Sequence, residues 1–203
     1  MWEFLRAGGP VMFFLVIASI VGIAFTIERG LALRRNKVIP PDVETAMDNC
    51  RTPADLPRLA QVCHNSPSAL SRLTLLAFDH LKEPKDETVD LLETRARQEV
   101  VILERGLVIL EIVVGIGPLL GLVGTVHGLI RLFGQLGQSG LTDNTRLAAG
   151  ISVALNTTLM GLLVAIPALV AWSYYSKKVE NLAIDMEALL DRFLRLQYRP
   201  GGK

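Results

Sequence analysis

The chain has 203 residues, half of them hydrophobic, with a mean hydropathy of +0.39 and a formal net charge of +1. That apolar share exceeds what a soluble domain of this size usually carries. So balanced a charge argues against a nucleic-acid or acidic partner.

Three uncharged, strongly apolar stretches cover residues 10–27, 112–130 and 147–176. A bilayer's hydrocarbon core is about 30 Å thick and takes roughly 20 apolar residues of helix to cross. Only helices and closed barrels can cross it, because every buried backbone N–H and C=O must be paired. The stretches lack the short alternation of barrel strands, so the expected fold class is an all-α integral membrane protein. It has three transmembrane helices, the second and third extended into a cytoplasmic helical bundle.

In chain order, residues 1–8 form an N-terminal extracytoplasmic segment with two open readings. It is an interfacial helix with Trp2 as a belt residue, or a frayed terminus. Residues 9–28 are the first transmembrane helix. No small-x-small cleavage site follows it and its basic residues come after the apolar run, so it reads as an uncleaved anchor. Arg29, Arg34, Arg35 and Lys37 follow this helix, whereas Arg6 alone precedes it. The positive-inside rule then places the N-terminus outside and the next segment in the cytoplasm.

Residues 29–105 read as a cytoplasmic helical region. Thr52-Pro53 and Ser66-Pro67 each offer an N-cap residue before a proline at the first helical position. Leu70, Leu73, Ala77 and Leu81 then recur at helical spacing. After Pro84 the pattern resumes with Val89, Leu92, Ala96, Val100, Leu103 and Leu107, which predicts one long helix over residues 86–133. Cys50, Cys63 and His64 fit no standard metal spacing and lack a fourth ligand, and a cytoplasmic thiol stays reduced, so they read as core or surface residues. No metal, cofactor or catalytic residue is assigned. No phosphate loop, nucleotide-binding glycine pattern or nucleophile–base pair is present, so no enzyme is expected.

The second transmembrane helix spans residues 106–133. Gly117, Gly121, Gly124 and Gly128 fall on one narrow stripe, with Pro118 beside it, which suits close approach of another helix. The glycines serve packing inside one subunit or a channel wall. Both readings stand. Glu111 is the acid nearest the spans, at the cytoplasmic end of the second, and His127 is the ionisable residue deep in its apolar run. A short extracytoplasmic loop, residues 134–146, leads to the third transmembrane helix at 147–176. Its uncharged run, at about 1.5 Å per residue, is roughly 45 Å long. Within it Ser152, Asn156, Thr157 and Thr158 cluster in two turns, and Thr125 borders the glycine stripe of the second span. An asparagine and two threonines near the bilayer centre suit a polar cavity or a partner better than a lone back-bonded threonine does. No carboxylate lies at the membrane centre, so any proton route needs one supplied by a partner. Residues 177–203 form a cytoplasmic C-terminal helix and tail. Lys177 and Lys178 mark the exit, Val179, Leu182, Met186, Leu189 and Phe193 form its stripe, and Pro200-Gly201-Gly202 a loose end.

Two stretches carry a resemblance. Gly115-Ile-Gly-Pro-Leu-Leu-Gly-Leu-Val-Gly-Thr-Val-His-Gly128 resembles one signature of the MotA/TolQ/ExbB proton-channel family, and Gly150-Ile-Ser-Val-Ala-Leu-Asn-Thr-Thr-Leu-Met-Gly-Leu-Leu-Val-Ala-Ile-Pro167 resembles the other. Glu28-Arg29 matches the family's usual exit from the first span. Three N-out spans are similar to the ExbB/TolQ branch. The resemblance implies a five-subunit ring around two single-span ExbD/TolR-type helices whose aspartate sits in the pore. It also implies use of the proton motive force for work at the cell envelope, through a TonB-like or other effector. The family's two pore threonines fall on Thr125 and Thr158, with Thr157 and Asn156 beside them and Ser152, His127 and Glu111 as secondary candidates. One departure is Val153, where many relatives have a glutamate; Asn156 and His127 are the candidates to compensate. A membrane scaffold without ion flux is the alternative.

Overall fold

The structure is a computed structural model that describes residues 9–139 and 144–198. The expected interfacial segment at residues 1–8 and the Pro200-Gly201-Gly202 end lie outside the described residues. The described chain forms eight α-helices: α1 Gly9–Ala32, α2 Arg35–Val38, α3 Pro41–Asn49, α4 Leu56–Asn65, α5 Ala69–Asp79, α6 Lys85–Glu104, α7 Leu107–Ser139 and α8 Asn144–Gln197. A 3₁₀ turn at Pro53–Asp55 leads into α4. All-α architecture therefore holds, and three helices are long and apolar enough to cross a membrane: Pro10–Ala32, Leu107–Gly134 and Leu147–Gln197. The chain divides into two compact units, one of residues 1–29 with 106–174, the other of residues 30–105 with 175–203.

The first unit holds α1, α7 and the N-terminal part of α8. Many of its large side chains face outward, among them Phe13, Ile20, Leu119, Ile130 and Val170. In water such a surface would be untenable; in hydrocarbon it is the ordinary lipid-facing condition. The chain is a multi-pass membrane protein. Both α7 and α8 run unbroken through their internal prolines, Pro118 and Pro167. Within the stretch expected as a loop, 134–146, α7 continues to Ser139 and α8 begins at Asn144. Residues 140–143 lie outside the described residues.

The expected single helix over 86–133 is interrupted at Arg105–Gly106. The Arg105 N–H bonds Ile102 O three residues back, and the place a Cβ would take at Gly106 is filled by the Arg29 side chain. A larger residue at 106 would displace that arginine.

The second unit has a conventional core. Leu70, Leu73, Ala77, Leu92, Met186 and Phe193 meet there, so the stripes of α5, α6 and the C-terminal part of α8 bury as their 3.6-residue spacing demands. Thr52 starts the 3₁₀ turn as expected, its N–H and hydroxyl both donating to Asp55 Oδ2 at 3.0 and 2.7 Å. The next start lies two residues later than Ser66-Pro67 suggested. Ser68 is the N-cap of α5, accepting from the Ser71 N–H at 3.1 Å, while Ser66 closes α4 by donating its N–H to Val62 O. Inside the unit, Glu99 is 2% exposed and is met by the Arg72 guanidinium, Nε donating to Oε1 at 2.8 Å. This fork gives both oxygens of the buried carboxylate a hydrogen-bond donor. At the end of α8, Gln197 donates to Cys50 O at 2.9 Å, and the Tyr198 hydroxyl reaches Glu83 O at 2.9 Å.

Cys50 and Cys63 are both buried and free, whereas His64 is exposed. Burial pushes the Cys63 thiol up to about 11. A free thiol titrates near about 8.5, so folding favours the neutral form. That contribution is complete below the unfolded value and is lost as pH rises towards the folded one. At pH 8 Cys63 is therefore expected to resist a maleimide over times that fully label the denatured chain, with protection failing on titration towards pH 11. Mass spectrometry of labelled peptides checks this, and rapid native labelling at pH 8 would contradict the buried placement.

Candidate functional site

The site grows out of how closely α7 and α8 approach. A methyl at Gly121 would stand 2.9 Å from Thr158 Cα and 3.0 Å from Thr157 O. One at Gly117 would meet Ala165 Cβ and Gly161 O at 3.2 Å, and one at Gly128 would meet Ala154 Cβ at 3.1 Å. At Gly124 the space is filled by the Thr157 side chain. The glycine stripe of α7 thus lies against a small-residue stripe of α8 made by Ala154, Gly161 and Ala165. Sequence reasoning missed Gly161, although its spacing of seven from Ala154 and four from Ala165 marked one face.

That approach brings three hydroxyls onto two backbone carbonyls. Thr125 has two acceptors within reach, Ala154 O at 3.0 Å and Gly121 O at 3.2 Å. Thr157 donates to Ala154 O at 2.7 Å and reaches Gly121 O at 3.2 Å. Thr158 reaches Gly121 O at 3.2 Å. The Thr125 and Thr158 hydroxyls also bond each other, and Thr125 lies 3.3 Å from the Thr157 hydroxyl. Thr157 is 2% exposed, whereas Thr125 and Thr158 are half-buried at the edge of the helix pair. Such a cluster can donate and accept hydrogen bonds but carries no charge and gives up no proton near neutrality.

The other candidates are not brought there. Ser152 and Asn156 lie about 120–160° round α8 from Thr158. Ser152 is exposed and Asn156 half-buried. Closeness in sequence grouped them, but the helix turns them away. His127 is exposed and sits about 160° round α7 from Thr125. Glu111 is exposed on the Thr125 flank, about 21 Å along the axis. Val153 is exposed on α8. Among the described residues no group of three or more His, Cys, Asp or Glu is placed to hold a metal ion.

Residues 65–188 match the MotA/TolQ/ExbB proton channel family. An ExbB-like biopolymer transport protein of Synechocystis sp. is 34% identical over 206 residues, spanning 97% of this chain and 78% of the relative. An ExbB homologue of Methanothermobacter thermautotrophicus is 27% identical, covering 97% of this chain and 70% of its own. The Tol-Pal system protein TolQ of Haemophilus influenzae is 29% identical over 142 residues, 70% of this chain and 56% of the relative.

Proposed function

The chain belongs to the MotA/TolQ/ExbB proton channel family, and on that premise we propose that it is the ring-forming channel subunit of an ExbB/TolQ-type inner-membrane motor. The observation that carries this reading is the threonine cluster at the α7–α8 crossing, which offers hydroxyls at the edge of an apolar helix pair without a carboxylate beside it. A carboxylate at this level has to come from elsewhere for protons to pass beside the cluster. In this reading an ExbD/TolR-type single-span partner brings it, and five copies of the chain surround the partner helices. The N-terminus is outside and the C-terminus is in the cytoplasm, as the basic exits after α1 and near Lys177 require. Thr125 and Thr158 hydrogen-bond the partner's carboxylate and pathway water, and no covalent reaction is catalysed.

A proton moving down the potential releases about 2.3 kcal/mol per 100 mV. That is enough per step to break weak contacts between ring and partner, so the ring can advance and do work on the envelope. The test is gentle detergent extraction of the tagged chain, native mass and identification of companions, then proton flux in vesicles. A five-fold assembly holding a small single-span protein with a membrane aspartate, conducting protons, is the expected result. A clean oligomer without such a companion and without flux would replace the motor with a membrane scaffold.

A further inference from the structure

Resting on the reading of Thr125 and Thr158 as pathway residues, we propose that Thr157 is a positioning residue. Its role is to leave that pair one hydroxyl hydrogen free for the partner's carboxylate. The argument is a count of hydrogens and acceptors. Gly121 O and Ala154 O lie inside helices, so one lone pair of each takes the N–H four residues on and one remains. Gly121 O has the Thr125, Thr157 and Thr158 hydroxyls each at 3.2 Å. Ala154 O has Thr157 at 2.7 Å and Thr125 at 3.0 Å. Three hydroxyl hydrogens therefore meet two open carbonyl positions.

Thr157 is 2% exposed, so its hydrogen has to stay inside, and its shortest bond is to Ala154 O. That excludes Thr125 from the same lone pair. One of Thr125 and Thr158 then serves Gly121 O, and the remaining hydrogen lies in the bond between the two threonines. It is the hydrogen that can swing outward without breaking a hydroxyl–carbonyl bond. Take Thr157 away and two hydrogens face two carbonyls: Thr125 turns to Ala154 O, Thr158 to Gly121 O, and the pair can only accept. Acceptors alone favour a protonated acid over a carboxylate, so the partner's carboxyl would hold its proton more tightly. No proton leaves a threonine; one hydrogen bond is redirected.

Among the described residues no other titratable side chain competes at this level. Glu111 is about 21 Å along α7, and His127 and Arg131 lie on the flank away from Thr125. On α8 the tyrosines at 174 and 175 are about 24 Å on from Thr158, and α1 carries only Glu28 and Arg29, at its C-terminal end.

The experiment measures proton flux against pH for the complex with its single-span partner in vesicles, comparing wild type, Thr157→Val, Thr157→Ala and Thr157→Ser, with Thr158→Val as reference. Native mass reports assembly, and alanine, smaller than threonine, keeps the comparison open if valine disturbs packing at Gly124. The expected result is a fall of about tenfold at neutral pH with the pH profile moved up by about one unit, which is the loss of one charge-assisted hydrogen bond. Thr157→Ser restores both. Wild-type rate and profile in an assembled Thr157→Val or Thr157→Ala complex, or a serine variant as impaired as alanine, would overturn the positioning role alone, provided that Thr158→Val still loses flux. Full flux in Thr158→Val as well would remove the pathway reading beneath it.

Discussion

Gly161→Val is expected to separate α7 from α8, seen as loss of the thermal transition of the detergent-extracted protein. Any Cβ at 161 would stand 2.6 Å from Gly117 O and 3.0 Å from Gly121 Cα. Both are backbone atoms, so no side chain can rotate out of the way and one helix has to move. Overpacking that forces backbone shifts costs about 1–3 kcal/mol, and valine adds two more methyl groups to the same gap. The loss compounds in hydrocarbon. With lipid tails as apolar as leucine, helix association rests on close packing and interhelical hydrogen bonds, the latter averaging only about 0.6 kcal/mol each. Moving the helices apart gives up both together, since the three threonine hydroxyls cross the same gap. Gly115→Ala is the internal comparison: nothing lies within 4 Å of its Cβ position, so stability should match the parent. A Gly161→Val chain with the wild-type transition would show that the two helices do not pack this closely.

How much of this was legible depends on what each feature requires. The spans, and the stripes through Leu70, Leu92, Met186 and Phe193, follow from apolar content and a 3.6-residue period, which sequence displays directly. The break at Arg105–Gly106 does not, because the pattern continues through it; only the Arg29 side chain over Gly106 reveals why a small residue stands there. Ser66 was the expected cap, and Ser68 takes that place because its hydroxyl is the one that meets the Ser71 N–H. The polar residues of the third span show the same limit. Ser152, Asn156, Thr157 and Thr158 are neighbours in sequence, yet a helix sends them to different sides, and which side matters depends on where α7 lies. Thr125 and Thr158 were identified by resemblance. The carbonyls of Gly121 and Ala154, which organise the cluster, have no side-chain signal at all.

Thr158→Val and Thr125→Val should each cut proton flux at least tenfold while leaving assembly intact, and the double variant should fall to the level of empty vesicles. Valine is nearly isosteric with threonine, so the α7–α8 contact keeps its shape. Loss of one hydroxyl leaves Gly121 O with two others in reach, and an interhelical hydrogen bond in the membrane averages only about 0.6 kcal/mol. Stability should therefore change little. Function should change much more, because in the proposed route the hydroxyls act where a charge forms. A hydrogen bond to a charged group contributes about 1.5–3 kcal/mol, and each 1.36 kcal/mol is tenfold in rate. Removing the donors asks a carboxylate to ionise at the edge of an apolar helix pair with less to replace its water, which opposes proton release. Thr158→Ser keeps the hydroxyl and is expected to keep most of the flux, which separates hydrogen bonding from side-chain volume. If both single valine variants, assembled with the partner, conduct as the parent does, the hydroxyl pair is not part of the route. The polar cluster would then be a device for holding α7 to α8, and the protons would have to pass along another face of these helices.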